Sequence, residues 1–183
     1  MNMALEIIDQ FYAGQPELYK ILLKHSSQVQ QKALQIAEIS KIPVDPEIVA
    51  CGAMLHDIGI IHCNAPGICC RGELPYIAHG IAGGRMLRNI GPEMELYARI
   101  CERHTGSGLT AAEIKAGALP LPEMDFLPET IEEKLICLAD KFFSKSGDMA
   151  EKPLPKIRRS MEKFGTPALE RFDKLCRIFS IAE

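Results

Sequence analysis

The chain has 183 residues, 47% of them hydrophobic and 25% charged, which is enough to bury a core in one domain and too apolar for a disordered chain. A net charge of −3 excludes a general attraction to long nucleic acid or to an anionic membrane, so any phosphate recognition must be local. No apolar run approaches the roughly 20 residues of a membrane span, no signal-peptide pattern opens the chain, and seven cysteines without an export signal read as reduced thiols in a cytoplasmic protein.

Residues 4–13 predict a short amphipathic helix with Leu5, Ile8 and Tyr12 on one side, a lid or brace stopped by Gly14. Pro16 opens a longer helix to about Ser40, with Leu18, Leu22, Val29, Ala33 and Ile36 as its stripe. His25 falls between Leu22 and Val29 at helical spacing, so it points inward. Asp45 and Pro46 restart the helix as N-cap and first residue, and Val49, Gly52 and His56 share one face. Gly52 would let a neighbouring helix approach. Asp57 lies about 100° further round, and Gly59 is expected to end the helix.

Residues 60–75 read as a loop. A helix follows over 76–90 with His79, Gly83, Met86 and Ile90 on one face, and Pro92 opens another in which Tyr97, Ile100 or Cys101, and His104 face inward. Capping boxes at Thr110 and Thr130 start two more, the second reaching about Lys145 with Asp140 set among Ile136 and Phe143. Two terminal helices, 156–164 and 167–181, read as structural. No period-two strand or internal repeat emerges, so the fold is all-α: a bundle of about seven to eight helices in a single domain spanning 1–183, with its core at about 16–146 and a helical extension over 147–183.

Successive core helices therefore present His25, His56 with Asp57, His79, His104 and Asp140. Singly, each reads as a core histidine bonded to a backbone carbonyl or as a capping carboxylate. Together they read as a site, because four of the five histidines fall on core stripes. A mixed imidazole and carboxylate set suits iron, manganese or zinc, whereas magnesium and calcium prefer oxygen ligands.

The order His25, His56-Asp57, Asp140 resembles the HD-domain superfamily of metal-dependent phosphohydrolases, and His56-Asp57-Ile58-Gly59 looks like its common His-Asp-Ile-Gly variant. His79 and His104 resemble the extra histidines of small stand-alone members that hold two metals. The resemblance implies one or two divalent transition metal ions (Fe, Mn or Zn). His25, His56, Asp57 and Asp140 would hold the first and His79 and His104 the second, with Asp57 bridging and central to catalysis. It further implies hydrolysis of a phosphoester or phosphoanhydride of a nucleotide or another small phosphorylated metabolite.

Many relatives place a lysine after His-Asp-Ile-Gly, where this chain has Ile60. Arg103, Lys141 and Lys145 are the expected replacements for holding the substrate phosphate, ahead of Arg71 and Arg85. His62 with Cys63, Cys69 and Cys70 lacks the usual zinc spacing and reads as a substrate-covering loop. Two other functions fit the same ligands: a catalytically weak ligand-sensing or partner-binding module, and an HD-type di-iron oxygenase.

Overall fold

Helix α2 (Pro16–Ser40) is the spine of the molecule, a computed structural model that describes residues 3–181. Around it stand α1 (Met3–Tyr12), α3 (Pro46–Leu55), α4 (His79–Arg88), α5 (Glu95–Arg103), α6 (Ala111–Ala116), α7 (Ile131–Asp140), α8 (Leu154–Glu162) and α9 (Thr166–Ile178). The architecture is all-α apart from one small hairpin. Proline sits in the first turn of α2 and α3, and the Asp45 carboxylate accepts hydrogen bonds from the backbone N–H groups of Glu47 and Ile48. Both threonine capping boxes form, at Thr110 and at Thr130. No helix among the described residues is long and apolar enough to cross a membrane.

The apolar residues gather in two clusters. One joins the second half of α2 to α3, α5, α7, α8 and α9, with Val29, Ala53, Leu138 and Phe172 at its centre. The other joins α1, the start of α2, the end of α3, α4 and α5 through Tyr12, Leu22, Leu55 and Leu87. His25 stands between Leu22 of one cluster and Val29 of the other, so the polar residues of interest occupy the seam.

Several boundaries differ from the sequence reading. Helix α3 ends at Leu55 rather than at Gly59, and a 3-10 turn follows over Ile58–His62. Gly59 is not a stop but a contact: a Cβ there would lie 2.1 Å from the His79 carbonyl oxygen and 2.2 Å from the Gly83 nitrogen. It allows α4 to press against the turn. Gly52 does permit close approach, since a Cβ there would meet Ile100 and Ile136 side chains.

Helix α4 ends at Arg88, leaving Ile90 39% exposed instead of on the inner face. Helix α7 ends at Asp140 rather than near Lys145, because Lys141, Phe142 and Phe143 donate their N–H groups to carbonyls three residues back, a tightened turn instead of a helix. The loop at 60–75 holds β1 (Asn64–Ala65) paired antiparallel with β2 (Cys70–Arg71). Two residues per strand are too few for an alternating pattern to be read.

Candidate metal centre

The ends of four helices converge at the seam. His25 comes from the middle of α2, while His56 and Asp57 follow α3, His79 opens α4, His104 follows α5 and Asp140 closes α7. All six are buried: His25, His56 and Asp57 completely, His104 at 2%, His79 at 4% and Asp140 at 9% exposure. The six fall into two groups that share Asp57: His25, His56, Asp57 and Asp140, and Asp57, His79 and His104.

The carboxylate of Asp57 is the hinge of the arrangement. Its Oδ2 lies 3.1 Å from His25 Nε2 and 3.0 Å from His56 Nε2, and its Oδ1 lies 3.4 Å from both His79 Nε2 and His104 Nε2. Asp140 Oδ1 stands 3.0 Å from His25 Nε2 and 3.5 Å from His56 Nε2. Close as these groups are, neither oxygen of Asp57 nor the Nε2 of His56 makes a hydrogen bond of acceptable geometry. Buried polar atoms left in that state are costly.

Backbone contacts fix which nitrogen each ring offers. His56 Nδ1 lies 2.6 Å from the Ala53 carbonyl oxygen, His79 Nδ1 2.7 Å from that of Tyr76, and His104 Nδ1 2.7 Å from that of Cys101. A carbonyl only accepts, so each Nδ1 carries a hydrogen, and a neutral ring turns the lone pair of Nε2 to the centre. Burial holds His79 in its neutral form, against the pull of Asp57, with its pKa lowered to about 3. Burial also lowers His104. Their two Nε2 atoms face each other at 3.0 Å, a meeting of two acceptors that only a cation or a shared proton resolves.

The first group has a different balance. Burial disfavours the charged form of His56, but Asp57 and Asp140 outweigh it and raise the pKa to about 9. Burial likewise works against the Asp57 and Asp140 carboxylates. Asp57 is nevertheless held well below its ordinary value by His56 and Lys145, and Asp140 by Lys141 and Lys145. Two ionised carboxylates facing imidazoles, with the Asp57 oxygens and the His56 Nε2 outside any hydrogen bond, fit a divalent transition ion in donor type and number. Ion binding would displace the proton that His56 otherwise carries.

The phosphate candidates separate. Lys145 Nζ reaches Asp57 Oδ2, and Lys141 Nζ lies 2.7 Å from Asp140 Oδ2 and donates to the His104 carbonyl oxygen at 3.0 Å. Burial opposes the Lys145 charge, but Asp57 and Asp140 raise its pKa, so it is an ammonium. Arg103 lies elsewhere, bound to the Leu127 carbonyl oxygen and to Glu129 at 2.7 Å each. The reason is rotation: one residue before an inward His104 is about 100° round the helix. Arg71 and Arg85 are exposed and do not line the cavity described below. Ile60, fully buried in an apolar cluster, leaves the position after Gly59 unable to present a cation to the site.

A cavity of about 480 Å³ opens beside the centre, lined there by His79, His104, Asp140, Lys141 and Lys145. The 60–75 loop does not line it. That loop's Ile68 and Cys70 pack down among the apolar residues of α1 and α2, and among the described residues His62 and the loop cysteines belong to no ligand group.

The sequence reading missed two supporting tyrosines. Tyr12 donates its hydroxyl to the Ile58 carbonyl oxygen at 2.6 Å and accepts from Ile61 N–H at 3.2 Å, so α1 braces the turn after Asp57. Tyr76 stacks on the His79 ring at 4.8 Å. Tyr12 was marked as inward by its spacing, but its polar partner lies 46 residues away.

The profile of the HD domain family matches residues 22–144. A tRNA (cytidine(56)-2'-O)-methyltransferase of Picrophilus torridus is 39% identical over 68% of this chain and 32% of its own length. A second protein of that name, from Thermoplasma volcanium, is 33% identical over 87% of this chain and 42% of its own length. An uncharacterised protein of Methanocaldococcus jannaschii is 38% identical over 65% of this chain and 64% of its own. The chain thus spans between about a third and two thirds of the length of these relatives. Among solved structures, the HD domain of L. monocytogenes phosphodiesterase PgpH superposes over 95% of both chains, with a TM-score of 0.54 and 16% identity.

Proposed function

Because the chain belongs to the HD domain family, we propose that it is a metal-dependent phosphohydrolase acting on a nucleotide or another small phosphorylated metabolite. The observation that carries this reading is the Asp57 carboxylate, whose two oxygens make no hydrogen bond and each face two imidazoles, beside a cavity that holds two ammonium groups. His25, His56, Asp57 and Asp140 would hold one ion, and Asp57, His79 and His104 a second. Bound ions supply a water acidified to a nucleophile at neutral pH and polarise phosphoryl oxygens.

The chain's own groups do the rest. The backbone carbonyls of Ala53, Tyr76 and Cys101 keep three imidazoles in the tautomer that presents Nε2. Lys141 and Lys145 place positive charge on the cavity wall, where a substrate phosphate would dock. The methyltransferase names describe whole proteins much longer than the aligned stretch. The phosphodiesterase name of the structural neighbour agrees with phosphoester chemistry, although at 16% identity its likeness speaks to the fold.

The test is elemental analysis of protein purified without chelator, paired with a turnover screen of phosphorylated metabolites. Two transition ions per chain and phosphate release are expected, with Asp57→Asn losing both the ions and turnover. Retained metal with no turnover would favour a ligand-binding module, and oxygen consumption an oxygenase.

A further inference from the structure

The cavity beside the metal centre extends beyond the residues matched by the HD domain family. Elsewhere on its wall are Leu109, Leu119, Met161, Phe164 and Ala168, the last three from the segment running from α8 into α9. This wall is tied to the ligand-bearing segment that follows α5. Ser107, 2% exposed, donates its hydroxyl to the Ala168 carbonyl oxygen at 2.7 Å. Arg171 Nη2 donates to the Gly108 carbonyl oxygen at 3.0 Å and to the Glu113 carboxylate at 2.8 and 2.9 Å. The same short stretch of chain therefore carries His104 into the metal centre and anchors α9 over the cavity.

Phe164 is the telling residue. It lies between α8 and α9, 66% exposed, and lines the cavity with a ring that the fold itself leaves largely uncovered. An exposed phenylalanine on an open surface is ordinary, but one on the wall of a small-molecule-sized cavity has a use when a ligand covers it. The cavity thus combines two chemistries: ammonium groups and imidazoles on one part of its wall, and an aromatic and aliphatic surface on another.

The geometry points to α8 and α9 as the specificity wall of the site, selecting phosphorylated substrates that carry a flat aromatic group, such as a nucleobase, whose face lies against Phe164, Met161 and Leu119. The inference rests on the phosphohydrolase reading for which end of the substrate sits at the metals. Against Phe164, Met161 and Leu119 a bare sugar phosphate would set hydroxyls that find no partner, since the polar lining of Thr105, Ser107, Glu113 and Arg171 lies elsewhere on the wall. A planar ring would cover Phe164 and displace poorly held water instead.

The experiment is calorimetric titration of the metal-loaded protein with two phosphonate isosteres, one of AMP and one of ribose 5-phosphate, in which a methylene replaces the bridging oxygen and prevents hydrolysis. The AMP isostere is expected to bind at least about tenfold more tightly, the scale of one base stacked on an aromatic side chain. Phe164→Ala should erase most of that preference and leave the ribose isostere unchanged, while Phe164→Tyr should keep it. Phe164 is largely exposed, so its truncation removes little core packing and leaves the fold intact. Equal affinity of the two isosteres in the wild type, or a Phe164→Ala loss that is equal for both, would overturn the inference. Turnover of the parent esters separates the two readings. Equal hydrolysis of AMP and ribose 5-phosphate, with equal isostere affinities, leaves the hydrolase and removes the wall. A clear isostere preference with no hydrolysis leaves the wall and removes the hydrolase.

Discussion

The Asp57 carboxylate makes no hydrogen bond with the four imidazoles that surround it at 3.0–3.4 Å, is paired with the Lys145 ammonium, and the residues around it are arranged to keep it there. Tyr12 is the clearest of these. Tyr12→Phe would leave the Ile58 carbonyl and the Ile61 N–H without that partner, at a cost of about 1–3 kcal/mol in denaturant unfolding. The same variant should lower metal affinity about tenfold or more in a competitive chelator titration, as for other residues that orient ligands. Single residues were largely legible from sequence where helical spacing decided them. His25, His79 and His104 fall on inward stripes and face the centre as expected. Lys145 was reachable by its spacing from Lys141, even though the helix stops at Asp140 and a tight turn carries Lys145 back to Asp57. Arg103 was not legible, because its fate depends on Glu129 and on the Leu127 carbonyl, which only the tertiary fold brings to it.

Among the elements, the contact between α4 and the turn after Asp57 has the least slack. Gly59→Ala would put a methyl group within 2.2 Å of two backbone atoms, so the turn or α4 must shift, and a loss of about 3 kcal/mol is expected by chemical denaturation. The pairing of α6 with α9 gives a pH signature. Partial burial raises the Glu113 pKa, but Arg171 and Thr110 outweigh it and hold the carboxylate below its ordinary value. A depressed carboxylate contributes stability that is complete above its unfolded pKa and is lost as pH falls through the folded one. Glu113→Gln should therefore melt below the wild type at neutral pH, and the gap should close in acid; a gap independent of pH would show that the pairing carries no linked proton. At this scale, helix starts were readable from Pro16, Asp45, Thr110 and Thr130, because caps are local chemistry. Helix ends were less so. The end of α3 before His56, and the two-residue strands at 64–65 and 70–71, are set by packing against α4 and α1 that no short window contains.

For the molecule as a whole, the candidate metal centre is the junction of two apolar clusters, so one ion held there would cross-link α2 and α7 with the segment after α3, and a second would tie α4 and the segment after α5 to Asp57. At a hundredfold excess over its dissociation constant, a bound ion adds about 2.7 kcal/mol of stability. For a chain of this size that is about 5–10 °C in the thermal midpoint. Differential scanning calorimetry before and after chelation should show this drop, and Asp57→Asn should show none. The all-α class and the inward constellation were readable from the pattern of stripes. The role of the last two helices was not, since their amphipathic faces look the same whether they cover a core or border a cavity.

All six residues at the metal centre lie within 25–140, whereas Met161, Phe164, Ala168 and Arg171 lie beyond residue 144, where the family profile ends. On the proposed reading, the metal-holding residues and most of the apolar wall come from separate stretches of the chain, joined through Ser107, Gly108 and Glu113. Drift in the terminal stretch can reshape what fits the cavity while the ligand cluster stays in place, so this protein could change its diet without relearning its chemistry.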